Sequence, residues 1–194
     1  MADILYGVKL LVIEELDTKT QLPKEDGVIC HVTTGKSAEI EPVMSEGDEK
    51  IARSDTKILA IVRTPDLLYG YNLKLVDNTF NITAAALIEG GAIKKDEDGN
   101  VIGYDTAMLS EGATMKPFRA TLYIANYEGD SIVNYAKLTL NKCEGKASTI
   151  KVGDDFFAPE FEIKAREATR AGLPVRSIEY VDELPQVPST VASA

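Results

Sequence analysis

One stretch of the chain alternates strictly between charged and apolar residues and reads Glu160-Phe161-Glu162-Ile163-Lys164-Ala165-Arg166. Successive side chains of a β-strand point to opposite faces, so Phe161, Ile163 and Ala165 share one face. A second short strand is predicted within residues 173–185, and we expect it to leave the fold at its C-terminal end. The pattern therefore predicts a strand that covers an apolar core, followed by an arm.

Most of the remaining chain also has strand patterns. Residues 8–13 and 58–62 are apolar almost without interruption. Strands of an antiparallel sheet with one solvated face alternate, so we expect both faces of these two strands to be covered. Neighbouring subunits are the economical cover, and a closed barrel is the alternative. Further strands are predicted at residues 28–34, 71–75, 92–95, 101–104, 118–127 and 132–143, with hairpin turns at 96–100 and 127–131.

One helix is predicted over residues 79–89. Asn78 or Thr79 can cap its free amides, and Gly90 can take the left-handed conformation at its end. Its apolar residues form one stripe, which consists of Phe80, Ala84, Leu87 and Ile88. We expect this stripe to pack on a sheet. The predicted fold is therefore mainly β, an antiparallel β-sandwich or barrel with one packed α-helix.

The segment of residues 37–57 is crowded with charges but also contains apolar residues. Long surface segments of this kind are usually functional or disordered. We predict a projecting β-hairpin with its bend at residues 45–48, and a solvated loop is the alternative. Four apolar side chains are the predicted contacts with another subunit: Ile40, Val43, Met44 and Ile51.

The length, charge and apolar runs of the chain limit the classes of function that it can have. The 194 residues are enough for one domain, expected over residues 1–185, with a flexible tail at 186–194. The net charge of −10 and the absence of a basic cluster argue against tight nucleic-acid binding. No leader peptide opens the sequence and no apolar run approaches about 20 residues, so we expect folding in a cytoplasm and no membrane partner.

No set of residues predicts catalysis. His31, Cys30 and Cys143 are too few for an ordinary zinc site, and whether the two thiols meet is open. No pair of carboxylates lies in an apolar setting that would raise a pKa. We therefore predict no catalytic residue, no cofactor and no metal ion, and we expect that the chain is not an enzyme.

Several segments carry a resemblance to a known family. They are the Tyr-Gly-Val-Lys-Leu-Leu opening (residues 6–11), the charged early hairpin, Ala84-Ala85-Ala86-Leu87-Ile88-Glu89-Gly90-Gly91, Ala158-Pro159-Glu160-Phe161, and Ile178-Glu179-Tyr180-Val181-Asp182-Glu183-Leu184-Pro185. The chain resembles the major tail protein, or tail tube protein, of long-tailed phages and prophages of Gram-positive bacteria. The resemblance extends over residues 6–185.

The resemblance implies a fold similar to the type VI secretion tube protein, with two packed sheets and a flanking helix. It implies hexameric rings that stack into a hollow tail tube through which DNA passes without specific binding. The implied partners are tape-measure and tail-completion proteins, and the implied location is the virion tail after assembly in the host cytoplasm. The hairpin at 40–51 would join rings, and residues 174–185 would form a C-terminal arm. Edge strands pairing between subunits add four interface candidates: Phe156, Phe157, Ile178 and Tyr180.

Two other functions remain open. The first is a β-sandwich binding module of a virion or cell surface that recognises a carbohydrate or a protein. The scarcity of aromatic residues, 7% with no Trp, argues against a sugar site. The second is a hydrolase that uses carboxylate-rich loops, which would need a pocket with a carboxylate pair.

Overall fold

The computed structural model describes residues 4–106, 115–146, 148 and 159–187. In this part of the chain the backbone forms twelve strands and one helix. In chain order they are β1 (Ile4–Glu15), β2 (Ile29–Val32), β3 (Gly35–Ser45), β4 (Glu49–Ser54), β5 (Lys57–Arg63), β6 (Leu67–Asp77), α1 (Ile82–Glu89), β7 (Ala92–Lys95), β8 (Val101–Asp105), β9 (Phe118–Glu128), β10 (Ser131–Gly145), β11 (Glu160–Arg166) and β12 (Arg176–Val181).

Eight of these strands form one antiparallel sheet. The order across the sheet is β2-β1-β9-β10-β11-β6-β3, and β12 pairs with β10 beside the end of β11. At the far end of this path β3 comes back into contact with β1, so the sheet curls around an enclosed core. The core combines inward side chains of most of its strands, among them Leu11, Leu73, Phe118, Leu140 and Phe161.

The predicted fold class is confirmed. The chain is mainly β, its strands pair antiparallel, and one α-helix packs on the sheet. The strands around the core form one continuous, curled sheet and not the two packed sheets that the resemblance implies. The predicted turns at 96–100 and 127–131 join β7 to β8 and β9 to β10. Across the described residues, no helix combines the length and the apolar character that a membrane span requires.

Helix α1 begins one turn later than predicted. Its N-cap is Asn81, whose Oδ1 accepts a hydrogen bond from the backbone N–H of Ala84 at 3.1 Å. The prediction of Asn78 or Thr79 as the cap is wrong, because Asp77 Oδ1 accepts hydrogen bonds from the backbone N–H groups of both. These bonds hold the two residues in a turn that precedes the helix.

The helix is buried on all sides over residues 84–89, because it lies between the main sheet and the β7–β8 hairpin. The prediction of a single buried stripe is therefore wrong, and Phe80 precedes the helix and is partly exposed. The buried Glu89 carboxylate accepts hydrogen bonds from the Tyr104 hydroxyl at 3.1 Å and the Ser148 backbone N–H at 2.8 Å. The left-handed C-cap at Gly90 is confirmed, with φ 70°.

The contact between α1 and β10 leaves no room for a side chain at Gly145. A Cβ atom there would lie 2.1 Å from the carbonyl oxygen of Ile88 and 2.4 Å from its Cγ2. We expect Gly145→Ala to lower the free energy of unfolding by about 1–3 kcal/mol in urea denaturation, because overpacking pushes the helix off the sheet. Gly103→Ala is the matched control, since nothing lies within 4 Å of that position. Equal losses in both variants would contradict this account of the helix contact.

Strand β1 is covered on both faces, as its continuous apolar run predicts. Leu11 and Ile13 lie in the main core. The outer face carries a second apolar cluster, which consists of Leu10, Val12 and Tyr123. Val181 and Leu184 pack against this cluster. On the outer face the cover is therefore the chain's own C-terminal segment, which corrects the expectation that a neighbouring subunit supplies it.

The C-terminal strand, β12, belongs to the main sheet of the same chain. β12 runs antiparallel to β10, with Ile178 opposite Leu138 and Tyr180 opposite Ala136. The prediction that this strand leaves the fold is therefore wrong for residues 176–181. A role for residues 174–185 as an arm that contacts another subunit stays a prediction. The tail predicted at 186–194 lies outside the described residues from position 188 onward.

Both cysteines are free thiols buried in the core. Burial raises the pKa of Cys30 from 9.0 to about 11 and that of Cys143 to about 12. We expect both thiols to resist a disulfide reagent at pH 8 in the native protein and to react in denaturant. Below about pH 9 both thiols are neutral, and their contribution to the free energy of unfolding is fully present. This contribution is lost as the pH rises towards the pKa values of the folded protein. Rapid native labelling at pH 8 would contradict the burial of the two thiols.

Candidate assembly surface

The charged segment around β3 differs from its prediction. β3 runs without interruption to Ser45 and pairs with β6, which places Ile40 opposite Leu73. A separate hairpin follows, in which β4 pairs with β5 and the chain reverses at Asp55 and Thr56. The predicted bend at residues 45–48 is therefore wrong, because the chain leaves β3 there without pairing back on it. We call β4, β5 and their turn (residues 49–63) the apolar hairpin.

Hydrogen bonds between residues on the two sides fix the base of the apolar hairpin. The Asp48 backbone N–H donates to Thr64 Oγ1 at 2.8 Å, and the Thr64 N–H donates to the Asp48 carbonyl at 3.0 Å. The Gly47 N–H donates to Asp66 Oδ1 at 2.8 Å. A Cβ atom on Gly47 would lie 1.8 Å from the Thr64 carbonyl oxygen, so this approach requires glycine. The hairpin therefore leaves the sheet at a fixed point, at the end of β3 and the start of β6.

Every residue of β4 and β5 is exposed in the isolated chain. The large apolar side chains of β5 are 57–66% exposed: Ile58, Leu59, Ile61 and Val62. The expectation that residues 58–62 are covered on both faces is therefore not met within the chain, in contrast to β1. Successive side chains of β5 point to opposite faces, so both faces of the hairpin expose apolar side chains, which indicates an interaction site. The continuous apolar run of residues 58–62 predicted that they need cover, but these four residues were not among the predicted interface contacts.

The predicted interface residues near this hairpin have different surroundings. Met44 is exposed and pairs with Leu68, and Ile51 is exposed and pairs with Ile61. Both therefore border the exposed apolar surface. Val43 and Ile40 are both half-buried, and Ile40 packs against the main core.

The other interface candidates lie elsewhere. Ile178 and Tyr180 are exposed on β12, and Phe156 and Phe157 lie outside the described residues. A contact of any of these eight candidates with another subunit stays a prediction.

A second exposed apolar patch lies where β1 begins and β9 turns into β10. It includes Ile4, Leu5 and Tyr6, and both Ile4 and Ile132 pair with Tyr127. β6 and β10 both run antiparallel to β11, so these two strands run in the same direction and begin at the same end of the sheet. The apolar hairpin precedes β6, and this patch includes the start of β10. The two apolar surfaces therefore lie at the same end of the sheet.

A groove of about 340 Å3 crosses the outer face of β3, β6 and β11. Its charges alternate across the strands, with Lys74 opposite both Glu39 and Glu162. Lys146 donates a hydrogen bond to Glu162 and lowers its pKa. The described carboxylates with a shifted pKa are all shifted downward: Asp17, Asp96 and Glu162. This direction does not favour the hydrolase, which needs a carboxyl group that stays protonated.

A larger groove of about 590 Å3 crosses the outer face of β1, β2, β9, β10 and β12. Thr121 and Thr139 face each other on its floor, and Thr139 lies opposite Ser177. The Nε of Arg119 is buried and has no hydrogen-bond partner among the described residues. The same part of the chain contains no group of side chains with the composition of a metal site. Hydroxyl groups and the side chain of Arg119 line this groove, but the unsatisfied Nε itself is buried.

Comparisons with known proteins assign no family to the chain. No family model matches the chain. No curated protein matches it either. Among solved structures, the chain is similar to the tube-terminating cap of an anti-feeding prophage, determined by cryo-EM, with 11% identity over 92% of this chain and 94% of that chain and a TM-score of 0.42. Similarity this low identifies neither a family nor a function for the chain.

Proposed function

We propose that the chain is a structural subunit of a phage or prophage tail, which assembles into stacked hexameric rings that form a hollow tube for DNA delivery. The observation that carries the proposal is the apolar hairpin, whose β5 side chains are exposed in the single chain. Covering such a surface contributes roughly 25 cal/mol per Å2 of apolar area. Other copies of the chain are the partner that best accounts for this surface.

The free strand edges of the sheet support assembly as well. Within the residues that the structure describes, β3 forms hydrogen-bonded pairs only with β6, and β12 only with β10. Strand edges with unpaired backbone groups pair readily with another chain. Rings close through heterologous contacts, in which two different surfaces of one subunit meet. Lateral strand pairing and a separate stacking contact at the apolar hairpin would satisfy this requirement.

The charge of the chain fits a conduit for DNA. A net charge of −10 repels a polyanion, so DNA could pass without binding. Lys74 and Lys146, in the smaller groove, each lie near a carboxylate of β11. The tape-measure and tail-completion proteins as partners, and the virion tail as the location, follow from the resemblance of the sequence.

The larger groove favours a second candidate, a module that binds a carbohydrate or a protein. Its volume suits a small ligand or a short segment of chain, and the side chains of Thr139 and Ser177 supply hydroxyl groups to its lining. This function needs no assembly, so the oligomeric state separates the two candidates.

Negative-stain electron microscopy of the purified protein over a range of concentrations tests the proposal, with light scattering on the same samples. We expect rings or hollow tubes that increase with concentration. A protein that stays monomeric at every concentration and after long incubation would contradict self-assembly and favour the binding module. Irregular aggregates without rotational symmetry would also contradict the tube.

A further inference from the structure

The fold has two opposite ends, and each carries an exposed hairpin. The apolar hairpin precedes β6, and α1 follows it. Ile88 of α1 lies against Gly145 at the end of β10, so α1 and the β7–β8 hairpin packed on it lie at the end of the sheet where β6 and β10 finish. β6 has 11 residues, so its two ends are roughly 33 Å apart at about 3.3 Å per residue. A surface at one end of the subunit can therefore meet a surface at the other end only in a second copy.

Both hairpins expose apolar side chains towards their turns. Ile58 and Leu59 follow the turn of the apolar hairpin, and Ile102 follows the turn between β7 and β8. Ile102 is 62% exposed, close to the 58% of Ile58. Each of these surfaces is small for a stable interface, but together they supply apolar area on both sides of one contact.

The charges at the two turns have opposite signs. Arg53 and Lys57 flank the turn of the apolar hairpin, and neither forms an ion pair in the described part of the chain. Asp55 lies between them, so the tip keeps a net charge of +1. At the other end, Glu97 and Asp98 occupy the β7–β8 turn, where they are exposed.

The two acidic side chains are available to a partner. Asp96, the third acidic residue of the β7–β8 turn, accepts hydrogen bonds from the backbone N–H groups of Asp98 and Asn100 and from the Asn100 side chain. Asp96 therefore holds the turn in shape. No ion pair of Glu97 or Asp98 occurs among the residues that the structure describes.

We propose that the basic tip of the apolar hairpin of one copy docks on the acidic β7–β8 turn of the next copy. This inference rests on the proposed self-assembly and names the two surfaces that stack. The contact is heterologous, so it repeats from copy to copy and builds a filament instead of closing into a dimer. Two apolar hairpins facing each other would bring Arg53 and Lys57 of both copies together, which like charges disfavour. Two cations are also too few to hold a nucleic acid on a protein of net charge −10.

Charge reversal tests the contact. The first variant carries Arg53→Glu and Lys57→Glu, the second carries Glu97→Lys and Asp98→Lys, and the third carries all four changes. All four side chains are exposed, so each variant is expected to keep the wild-type melting temperature. We expect the first two variants to assemble at least about tenfold more slowly than wild type in light scattering. The fourfold variant, and an equimolar mixture of the first two, should recover assembly because opposite charges meet again.

The outcomes separate this inference from the proposed function. If wild type forms tubes and the first two variants assemble at the wild-type rate, the contact is wrong and self-assembly stands. If both variants fail and neither the fourfold variant nor the mixture recovers, the two turns do not contact each other. If wild type forms no particle under any condition, both the proposed function and the contact are contradicted.

Discussion

Phe161→Asp is expected to lower the free energy of unfolding by about 3–5 kcal/mol, a large share of the stability of an ordinary domain. Phe161 is 1% exposed and pairs with Leu75 inside the main core. The change removes a buried ring and places a carboxylate where the surrounding side chains are apolar. Chemical denaturation followed by circular dichroism measures the loss.

The neighbouring position supplies the control. Glu162→Asp introduces the same residue one position along β11, where the side chain points to the outer face and is exposed. We expect it to cost less than about 1 kcal/mol, because the charge is kept and the core is untouched. Similar losses in the two variants would mean that the faces of β11 are assigned the wrong way round.

Local periodicity predicted the parts of the fold that depend on single strands. The alternation of β11 places Phe161, Ile163 and Ala165 in the core, as expected from the sequence. The helix start was less predictable, because Asn78, Thr79 and Asn81 can all cap a helix. Asp77 accepts hydrogen bonds from the backbone N–H groups of Asn78 and Thr79, so Asn81 is the residue that caps the helix.

Contacts between distant segments could not be predicted in the same way. The apolar runs of β1 and β5 look alike, and a continuous run indicates two faces that need cover without indicating what covers them. Val181 and Leu184 cover β1 from the far end of the chain. No segment in the described residues covers β5. The bend was misplaced for a related reason, because the pairing of β3 with β6 skips the whole apolar hairpin.

Removal of the apolar hairpin is expected to abolish assembly and leave the fold intact. Ser45 lies opposite Leu67, so residues 46–66 can be replaced by Asn-Gly, a two-residue turn suited to adjacent antiparallel strands. The free energy of unfolding should change by less than about 1 kcal/mol, because every residue of β4 and β5 is exposed. Sedimentation velocity and electron microscopy should show monomers without tubes. The matched control replaces only Asp55-Thr56 by Asn-Gly and should assemble like wild type.

This pair of variants separates the contribution of the hairpin strands from that of the turn between them. The control keeps the exposed side chains of β5 and both cations at the tip, and it replaces Asp55, which has an unfavourable φ of 43°. If the shortened protein forms normal tubes, the apolar hairpin is a solvated projection and another surface drives assembly. If the shortened protein fails to fold, the hairpin contributes to the core, against the exposure of all its strand residues. Loss of tubes in a stable monomer, with assembly kept in the control, is the result that requires β4 and β5 to contact another copy.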